Sequence, residues 1–272
     1  MIVVCAASGA LGRLVVSELQ TRGADVVAAV RDPARAPAGV QARRGDYDDP
    51  ASLRSALRGA ERVLLVSSPE LATERRIQQH RAVIEAATDN GVRAIAYTSF
   101  LGADRAGDPM NAAHHETEQA VARSGLAYTI LRHPFYTDAF VNAGLAAAVA
   151  SGRLESATGG RGLNTALRSD LAAAAATVLT SDEHLGRDYD LTGPLWTYPE
   201  LAAALGAVSG KPVDYQEAAV EGPMGFLMGL ARAGALERQT DDLARLLGRP
   251  PVSLRAAVEQ ALATGVDGTR EH

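Results

Sequence analysis

The stretch IVVCAASGALGRLVV, residues 2–16, decides which fold this chain can adopt. An apolar run comes first and predicts a buried strand, and the apolar residues after it recur with helical spacing. Between them lies the pattern Ala6-x-x-Gly9-x-x-Gly12, which has alanine where a first glycine is usual. A strand, a small-residue turn and a helix in this order are typical of a dinucleotide-binding βαβ unit. We therefore interpret the turn as a working cofactor site rather than a merely structural connection.

The small residues of this turn each have a physical role in that interpretation. Gly9 lets the backbone approach a pyrophosphate, Gly12 lets the helix pack close to the sheet, and the free N–H groups of the helix start bind the anion. Ser8 adds a hydroxyl. Ala6 is tolerated if its φ is negative and costs about 1 kcal/mol if its φ is positive. The predicted phosphate-binding residues are Ala7, Ser8, Gly9, Ala10, Leu11 and Gly12.

Short apolar runs alternate with segments of helical periodicity along the N-terminal half. Strands are predicted at 2–6, 25–30, 39–44, 62–68, 93–99 and 127–132, and helices at 11–23, 49–59, 73–91 and 111–125. This alternation predicts an α/β fold with a doubly wound parallel sheet covered on both faces. After about residue 150 the pattern loosens to a buried helix at 168–181, a short strand at 188–193 and several helical segments. The Gly- and Met-rich segment 220–234 is either a packed helix or a mobile wall over a substrate pocket.

Composition excludes several classes of function. The chain has 272 residues, 47% of them hydrophobic, and a formal net charge of −5. Neither nucleic acid nor an anionic membrane surface is expected as a partner of such an acidic chain. No run approaches the roughly 18 apolar residues of a membrane span, and the N-terminus has no signal-peptide pattern, so we expect a cytoplasmic protein. The single cysteine, Cys5, lies in an apolar run and is interpreted as a buried, inert thiol.

The end of the second predicted strand bears on cofactor choice. Sites for NAD usually have an acidic residue there, whereas this chain has Arg31 followed by Asp32. An arginine can pair with a 2′-phosphate and stack on adenine, so the sequence favours NADP, although Arg31 can also be read as a solvated surface residue. After the third strand, Asp46 and Tyr47 are placed to border the adenine.

Six stretches between about residues 2 and 193 carry a family resemblance. They are, in order, ASGALGRLVV, VVAAVRDPARA, RRGDYDDPASL, QHRAVIEAATDNGVRAIAYTS, GLAYTILRHPFYTDAF and YDLTGP. Together they resemble the atypical short-chain dehydrogenase/reductases of the NmrA-like type, especially their NADPH-quinone oxidoreductase subgroup. The resemblance implies a Rossmann domain with a smaller C-terminal substrate lobe, which we place at 1–192 and 193–272; we expect the mainly helical lobe not to be an independent domain. It implies that Gly9, Gly12 and Arg31 bind NADP and that the Ser67–Ser68 turn passes near the ribose.

The usual catalytic pair of the wider superfamily is missing. That pair is Tyr-x-x-x-Lys on the helix after the fifth strand, with tyrosine as proton donor and lysine lowering its pKa. Here the matching positions hold His114 and Glu118, and the only lysine of the chain is Lys211. His114 is a candidate proton donor, with a supporting structural role as the alternative. Adjacent histidines at 114 and 115 point apart on a helix, so no metal site is expected.

Three further residues are candidates for the reaction site. Ser99 ends the fifth strand, where the nicotinamide is expected, although a strand-end cap is the simpler interpretation. His133 and Tyr136 lie in the stretch LRHPFYTDAF, where the family often has Pro-Gly after the arginine. The departure puts a bulky imidazole near the expected nicotinamide pocket, so both residues are candidate substrate contacts.

The missing acid also constrains the substrate. Reduction of a plain ketone gives an alkoxide that needs a proton at once, whereas a quinone gives a delocalised anion and a hydroxy-aryl ketone carries its own phenolic proton. A bulky aromatic quinone or a polyketide-like hydroxy-aryl ketone is therefore predicted, and some ketoreductases of angucyclinone antibiotic biosynthesis are similar. The rival hypothesis is a non-enzymatic, NADP-sensing regulator like NmrA. We expect a monomer or a homodimer.

Overall fold

The computed structural model describes residues 1–267, which form two compact units. The first comprises Met1–His133, Arg168–Leu191 and Asp242–Gly248, and the second comprises Pro134–Leu167, Thr192–Asp241 and, of the described chain, residues 249–267. The predicted division at residue 192 assigned 134–167 to the Rossmann part, whereas these residues cluster with the second unit. That the lobe is not an independent domain stays a prediction.

The described residues contain strands and helices in the following chain order. The strands are β1 (Ile2–Cys5), β2 (Val26–Val30), β3 (Gln41–Arg44), β4 (Arg62–Leu65), β5 (Ala94–Phe100), β6 (Ala127–His133), β7 (Phe135–Tyr136), β8 (Arg153–Ser156), β9 (Leu163–Ala166), β10 (Arg187–Asp190), β11 (Leu195–Trp196) and β12 (Asp214–Glu217). The helices are α1 (Ala10–Thr21), α2 (Pro50–Ala56), α3 (Thr73–Asp89), α4 (Ala112–Arg123), α5 (Thr137–Phe140), α6 (Ala146–Ser151), α7 (Arg168–Leu179), α8 (Tyr198–Ser209), α9 (Gly222–Arg232), α10 (Asp242–Leu247) and α11 (Leu254–Asp267).

The first unit is built on a seven-stranded parallel sheet in the order β10-β6-β5-β4-β1-β2-β3. The first six strands follow the doubly wound order of dinucleotide-binding folds, with β10 added beside β6. The predicted α/β class with a Rossmann-type parallel sheet is confirmed. Ligands of such sheets bind beyond the carboxyl ends of the strands, where the order reverses between β1 and β4.

Helices cover this sheet in two groups, which explains the near-continuous apolar strands. Leu53 of α2, Val83 of α3 and Val121 of α4 share one core cluster with Val3 and Cys5 of β1. Helices α1, α7 and α10 pack together as the second group. Cys5 is buried, as predicted, and burial raises the pKa of its thiol to about 12, which disfavours the reactive thiolate.

The second unit combines helices with short strands. Strand β8 pairs with β12 in parallel, and β9 pairs with both β7 and β11. Helix α8 begins with a capping box, in which Thr197 and Glu200 bond each other's backbone N–H. Helix α9 falls within 220–234 and buries Met228 and Ala231, whereas Phe226 is 61% exposed. The segment is thus a packed helix, and its role as a mobile wall stays a prediction.

No helix in the described part of the chain has both the length and the hydropathy needed to cross a membrane.

Candidate cofactor and reaction site

The turn after β1 is strained at its first position. Ala6 has a φ of +50°, and among the described residues it is the one non-glycine residue with positive φ. This left-handed region costs an alanine roughly 1 kcal/mol and a glycine very little. Backbone hydrogen bonds hold the turn, from Ala7 N–H to the Ala29 carbonyl (3.2 Å) and from Gly9 N–H to the Ala6 carbonyl (3.0 Å). The turn therefore keeps a glycine-type conformation without the first glycine.

The two glycines of the turn are needed for different reasons. A Cβ on Gly12 would lie 2.6 Å from the Ala6 carbonyl oxygen and 2.8 Å from Ala7 Cα, so no side chain fits there. A Cβ on Gly9 would meet only the Ala6 carbonyl oxygen, at 3.3 Å, and the φ of Gly9 is −75°, which any residue adopts. Gly9 is also exposed. Packing within the chain requires Gly12, whereas Gly9 leaves open the side from which a ligand approaches.

The start of α1 fits a phosphate group. The helix begins at Ala10 and has no side-chain cap, so the N–H groups of its first turn have no partner within the helix. These groups belong to Ala10, Leu11 and Gly12, and the helix dipole adds positive potential to them. Ala7 is buried beneath the turn, and Ser8 is half-buried. A pyrophosphate would be held here by backbone N–H groups, with no side chain at Gly9 in its way.

Arg31 directly follows β2 and is exposed. Its guanidinium has no hydrogen bond or ion pair within residues 1–267. The neighbouring Asp32 is occupied, because its carboxylate accepts the Ala34 N–H (3.0 Å) and caps a short 3-10 helix. Sequence reasoning missed Arg13, whose guanidinium donates to the carbonyls of Ser8 (2.8 Å) and Arg35 (2.6 Å). Arg13 thus ties the glycine turn to the loop after β2, next to the exposed cation of Arg31, whose charge contributes to lowering the pKa of Asp48.

The residues predicted to border the adenine have structural contacts of their own. The Tyr47 hydroxyl donates to the Val66 carbonyl (2.7 Å), and its ring lies edge-on to His80. Asp46 is half-buried, and its carboxylate accepts the Asp48 N–H (3.1 Å). Tyr47 therefore supports the segment after β4 from inside. An adenine contact by Asp46 or Tyr47 stays a prediction.

The turn after β4 is fixed by side chains rather than by strand pairing. Ser67 N–H donates to Thr98 Oγ1 (2.9 Å), and Ser68 N–H donates to His80 Nε2 (2.9 Å). The Ser68 hydroxyl is buried and donates to Gln79 Oε1 (2.5 Å). Since that hydroxyl is already used, we expect any ribose contact of this turn to come from Ser67 or from the backbone.

His80 is a fully buried histidine whose ring proton can be placed. Its Nε2 accepts the Ser68 N–H, so the ring proton is on Nδ1, which lies 2.9 Å from Thr117 Oγ1. The Thr117 hydroxyl in turn donates to the Ala113 carbonyl (2.7 Å). Burial, with smaller effects of the His114 and Arg76 charges, lowers the pKa of His80 to about 3. His80 is therefore a neutral connection between α3, α4 and the turn after β4.

His114 lies on α4 and is 8% exposed. Its Nδ1 is 2.8 Å from the Tyr97 hydroxyl, and its Nε2 is 3.5 Å from Arg76 NH1. Burial, and then the positive charge of Arg76, lower the pKa of His114 to about 3. The imidazole is therefore neutral at physiological pH. Sequence reasoning found His114 but missed both Tyr97 and Arg76, which come from β5 and α3.

Ser99 and Glu118 belong to a buried ionic network. The Ser99 hydroxyl donates to Glu118 Oε1 (2.5 Å), and Arg132 binds both oxygens of the same carboxylate at 2.9 and 2.7 Å. Arg132 also contacts Asp188 (2.8 Å) and Asp190 (3.6 Å). Because the Ser99 proton is directed at Glu118, Ser99 presents only acceptor lone pairs to anything else. Arg132 was missed, because its partners come from two separate elements, α4 and β10.

His133 and Tyr136 are the remaining candidates. His133 ends β6 beside Phe100 and is 2% exposed; burial, and then the His114 charge, lower its pKa to about 3. Its imidazole is thus neutral and enclosed. Tyr136 is half-buried at the end of β7 in the second unit. Substrate contact by either residue stays a prediction.

Among the described residues, no group of three or more His, Cys, Asp or Glu side chains is arranged to hold a metal ion.

Comparison with known proteins agrees with this geometry. Residues 6–182 match the model of a family described as NAD(P)H-binding. The chain is 39% identical to quinone oxidoreductase 2 of Escherichia coli (strain K12), over 95% of this chain and 97% of that protein. It is 30% identical to the NAD(P)H azoreductase of Xenophilus azovorans, over 95% of this chain and 91% of that protein.

A solved structure gives the same result for the fold. The crystal structure of the Citrobacter sp. triphenylmethane reductase complexed with NADP(H) superposes with a TM-score of 0.90 at 35% identity. The match covers 96% of this chain and 100% of that one.

Proposed function

The chain belongs to the NAD(P)H-binding family of atypical, NmrA-like short-chain dehydrogenase/reductases, and we propose that it reduces quinones or similarly conjugated aromatic compounds with NADPH. The prediction of an NADPH-dependent oxidoreductase is confirmed by its reductase relatives. The finer assignment of the substrate rests on the residues around His114.

The structural fit for NADPH comes from two places in the first unit. The first-turn N–H groups of α1, open at Gly9, would hold the pyrophosphate, and the exposed guanidinium of Arg31, which forms no hydrogen bond or ion pair within residues 1–267, would hold the 2′-phosphate. The carboxylate of Asp32 is engaged in its own cap and does not compete for Arg31. When bound, NADPH supplies the hydride that the substrate accepts.

One observation carries the choice of substrate: the residues nearest the usual tyrosine position are poor proton donors. His114 is neutral, and its Nε2 faces the cation of Arg76. Ser99 directs its proton at Glu118. Burial raises the pKa of Tyr97 above its usual value, so its phenol is a weak acid as well. A substrate suits this site if its reduced form is stable as an anion until water supplies the proton.

Quinones meet that requirement, because hydride addition gives a hydroquinone monoanion with its charge delocalised over the ring. A hydroxy-aryl ketone meets it in a second way, because the neighbouring phenol can protonate the new alkoxide. We place aromatic polyketides, including angucyclinone-type antibiotic precursors, in this second class. The similarity to a quinone oxidoreductase, an azoreductase and a triphenylmethane reductase favours bulky conjugated substrates in general.

A substrate panel tests the proposal directly. NADPH oxidation is followed with a naphthoquinone, an anthraquinone, an azo dye, a hydroxy-aryl ketone and a plain alkyl ketone. We expect turnover of the conjugated compounds and none of the alkyl ketone. If NADPH binds tightly but none of the conjugated compounds is reduced, the reductase assignment fails and the NADP-sensing regulator becomes the better hypothesis.

Methylation of the substrate phenol tests where the proton comes from. A hydroxy-aryl ketone and its methyl ether are compared at equal binding, with the wild type and with His114→Ala. Substrate assistance predicts a large loss of turnover for the ether, and a loss for H114A smaller than the roughly 10²–10⁴-fold contributed by a positioned general acid. Normal turnover of the ether together with an inactive H114A would assign the proton to His114 and contradict our mechanism.

A further inference from the structure

Arg76 differs from the two buried arginines of the first unit, Arg62 and Arg132. Arg62 pairs with Asp182, and Arg132 pairs with Glu118. Arg76 is half-buried and forms no ion pair within residues 1–267. Its Nε is buried and has no hydrogen-bond partner in that part of the chain. A buried Nε–H without an acceptor is costly, so this group is expected to have a partner that the chain itself does not supply.

The location of Arg76 indicates which partner it serves. It lies in the first turns of α3, after the carboxyl end of β4, and its NH1 is 3.5 Å from His114 Nε2. By the sequence match of His114 and Glu118 to Tyr-x-x-x-Lys, His114 takes the position of the tyrosine that meets the substrate oxygen in the wider superfamily. The cation is therefore next to the position at which negative charge develops when the substrate is reduced.

The electrostatic effects of Arg76 on its neighbours have the sign that this role needs. Its charge contributes to lowering the pKa of His80 and of His114, which disfavours the imidazolium forms. It also acts to lower the pKa of the Tyr97 phenol, against the larger effect of burial. A field that favours a phenolate over a phenol at this place also favours the oxyanion of a reduced aromatic substrate.

We propose that Arg76 stabilises the anionic oxygen of the reduced substrate, an aromatic oxyanion such as a hydroquinone monoanion. The proposal rests on the function proposed above and names the group that replaces an enzymic acid at this site. A cofactor phosphate has the same anionic chemistry, but the start of α1 already provides a phosphate site. The experiment therefore measures the two ligands separately.

The decisive measurement is the pKa of a bound phenol, which needs no turnover. Para-nitrophenol is titrated by its absorbance in the complex of the full chain with NADP⁺. In the wild type we expect the phenol pKa to lie below its value in water. In Arg76→Met we expect it to rise by about 1–3, the usual effect of an opposite charge at close range. Arg76→Lys should restore part of the effect, because it keeps the charge.

A matched control is available on the same helix. Arg81 is exposed and pairs with Glu116, so Arg81→Met removes one positive charge from α3 without touching the His114 cluster. It should leave the phenol pKa, NADP⁺ affinity and turnover as in the wild type. Arg76→Met should keep NADP⁺ affinity and lose about 10²–10³-fold in kcat with a quinone, as for removal of one oxyanion donor. If R76M does not fold, Arg76→Gln takes its place.

The outcomes separate this proposal from the proposed function. Equal phenol pKa values in folded R76M and R81M overturn it, as does a wild-type complex that leaves the phenol unchanged from water. Loss of NADP⁺ binding in R76M with an unaltered phenol pKa assigns Arg76 to a cofactor phosphate and also overturns it. Absence of quinone turnover in the wild type contradicts the proposed function alone, because the phenol titration still decides the role of Arg76.

Discussion

Replacement of Gly9 by valine is expected to remove NADPH binding while leaving the fold intact. The backbone of Gly9 has a φ of −75° and a ψ of 165°, which valine adopts readily. The added Cβ meets only the Ala6 carbonyl oxygen, at 3.3 Å, and the rest of the side chain extends to the exposed side. That side is where the pyrophosphate is expected to approach the N–H groups of α1.

The magnitude follows from the hydrogen bonds that the valine would displace. Each hydrogen bond from a backbone N–H to a charged phosphate contributes about 1.5–3 kcal/mol. If valine displaces two of them, affinity for NADPH falls by about 10²–10⁴-fold. The free energy of unfolding without cofactor should change by no more than about 1 kcal/mol, because the single contact at 3.3 Å requires the Ala6 carbonyl to move by only a few tenths of an ångström.

Gly12→Ala is the control with the opposite pattern. Its Cβ would lie 2.6 Å from the Ala6 carbonyl oxygen, so the helix must shift, at about 1–3 kcal/mol of stability. Ala6→Gly relieves the strain at a φ of +50° but frees the unfolded chain, so it should be nearly neutral. NADPH titration by calorimetry and thermal unfolding of the cofactor-free proteins measure both quantities. Wild-type affinity in G9V, or an undisturbed fold in G12A, would refute this account of the turn.

Four further predictions concern side chains of the first unit. Arg31→Ala should weaken NADPH binding by about 1–3 kcal/mol and leave NADH binding nearly unchanged; equal affinity of the wild type for both cofactors in titration would contradict it. Because His114 stays neutral above a pKa of about 3, the profile of kcat against pH should show no histidine titration between about pH 5 and 8. The three buried histidines have a lower pKa folded than unfolded, so the free energy of unfolding should decrease as pH falls below about 6.5; a flat stability curve from pH 7 to 4 would count against this. Glu118→Gln should cost about 3–5 kcal/mol in denaturant unfolding, because Arg132 loses its main buried partner. Glu259→Gln, which removes an exposed pair with Arg255, should cost less than about 1 kcal/mol; similar losses in both variants would remove the case for a buried network.

The secondary structure of the first unit was predictable because its signals are local. The predicted strand 25–30 is observed as Val26–Val30, and α2 begins as expected at Pro50 with Asp49 as its cap. The strand predicted at 62–68 ends at Leu65. Beyond Leu65, the N–H groups of Ser67 and Ser68 donate to side chains of β5 and α3 rather than to a neighbouring strand. The apolar sequence pattern continues past Leu65 and therefore does not indicate where strand pairing ends.

The short strands of the second unit gave no comparable signal. RLES and DYQE, the sequences of β8 and β12, are mixed in polarity, and they pair although about 60 residues separate them. Strand β7 has only two residues. Pairing of this kind is decided by which segments the fold brings together, so a pattern read along the chain indicated only a looser, mainly helical region.

The candidate site was predictable in part for the same reason. Ser99 and His114 were found because they stand at recognisable positions of a strand end and a helix. The arginines near them, Arg76 and Arg132, come from α3 and β6. The sequence alone does not distinguish an arginine that the fold buries from one that is exposed to solvent. Only the folded chain reveals that Arg132 is neutralised by a buried carboxylate and that Arg76 is not.

That difference changes how the lost Tyr-x-x-x-Lys pair is understood. In the wider superfamily the lysine places a positive charge one helical turn from the tyrosine and eases loss of its proton. Here Glu118 occupies that position, but Arg132 and Ser99 satisfy its charge, so it adds little negative potential to His114.

On our proposal the positive charge comes instead from α3, as Arg76, and acts on the substrate oxyanion rather than on an enzymic acid. A cation that acts on the product suits substrates whose reduced form remains an anion for some time, which is the property that separates quinones from alkyl ketones. The charge on α3 and the substrate class are therefore linked: in R76M, quinones whose hydroquinones are the weakest acids should lose the most turnover, because their anions depend most on the cation.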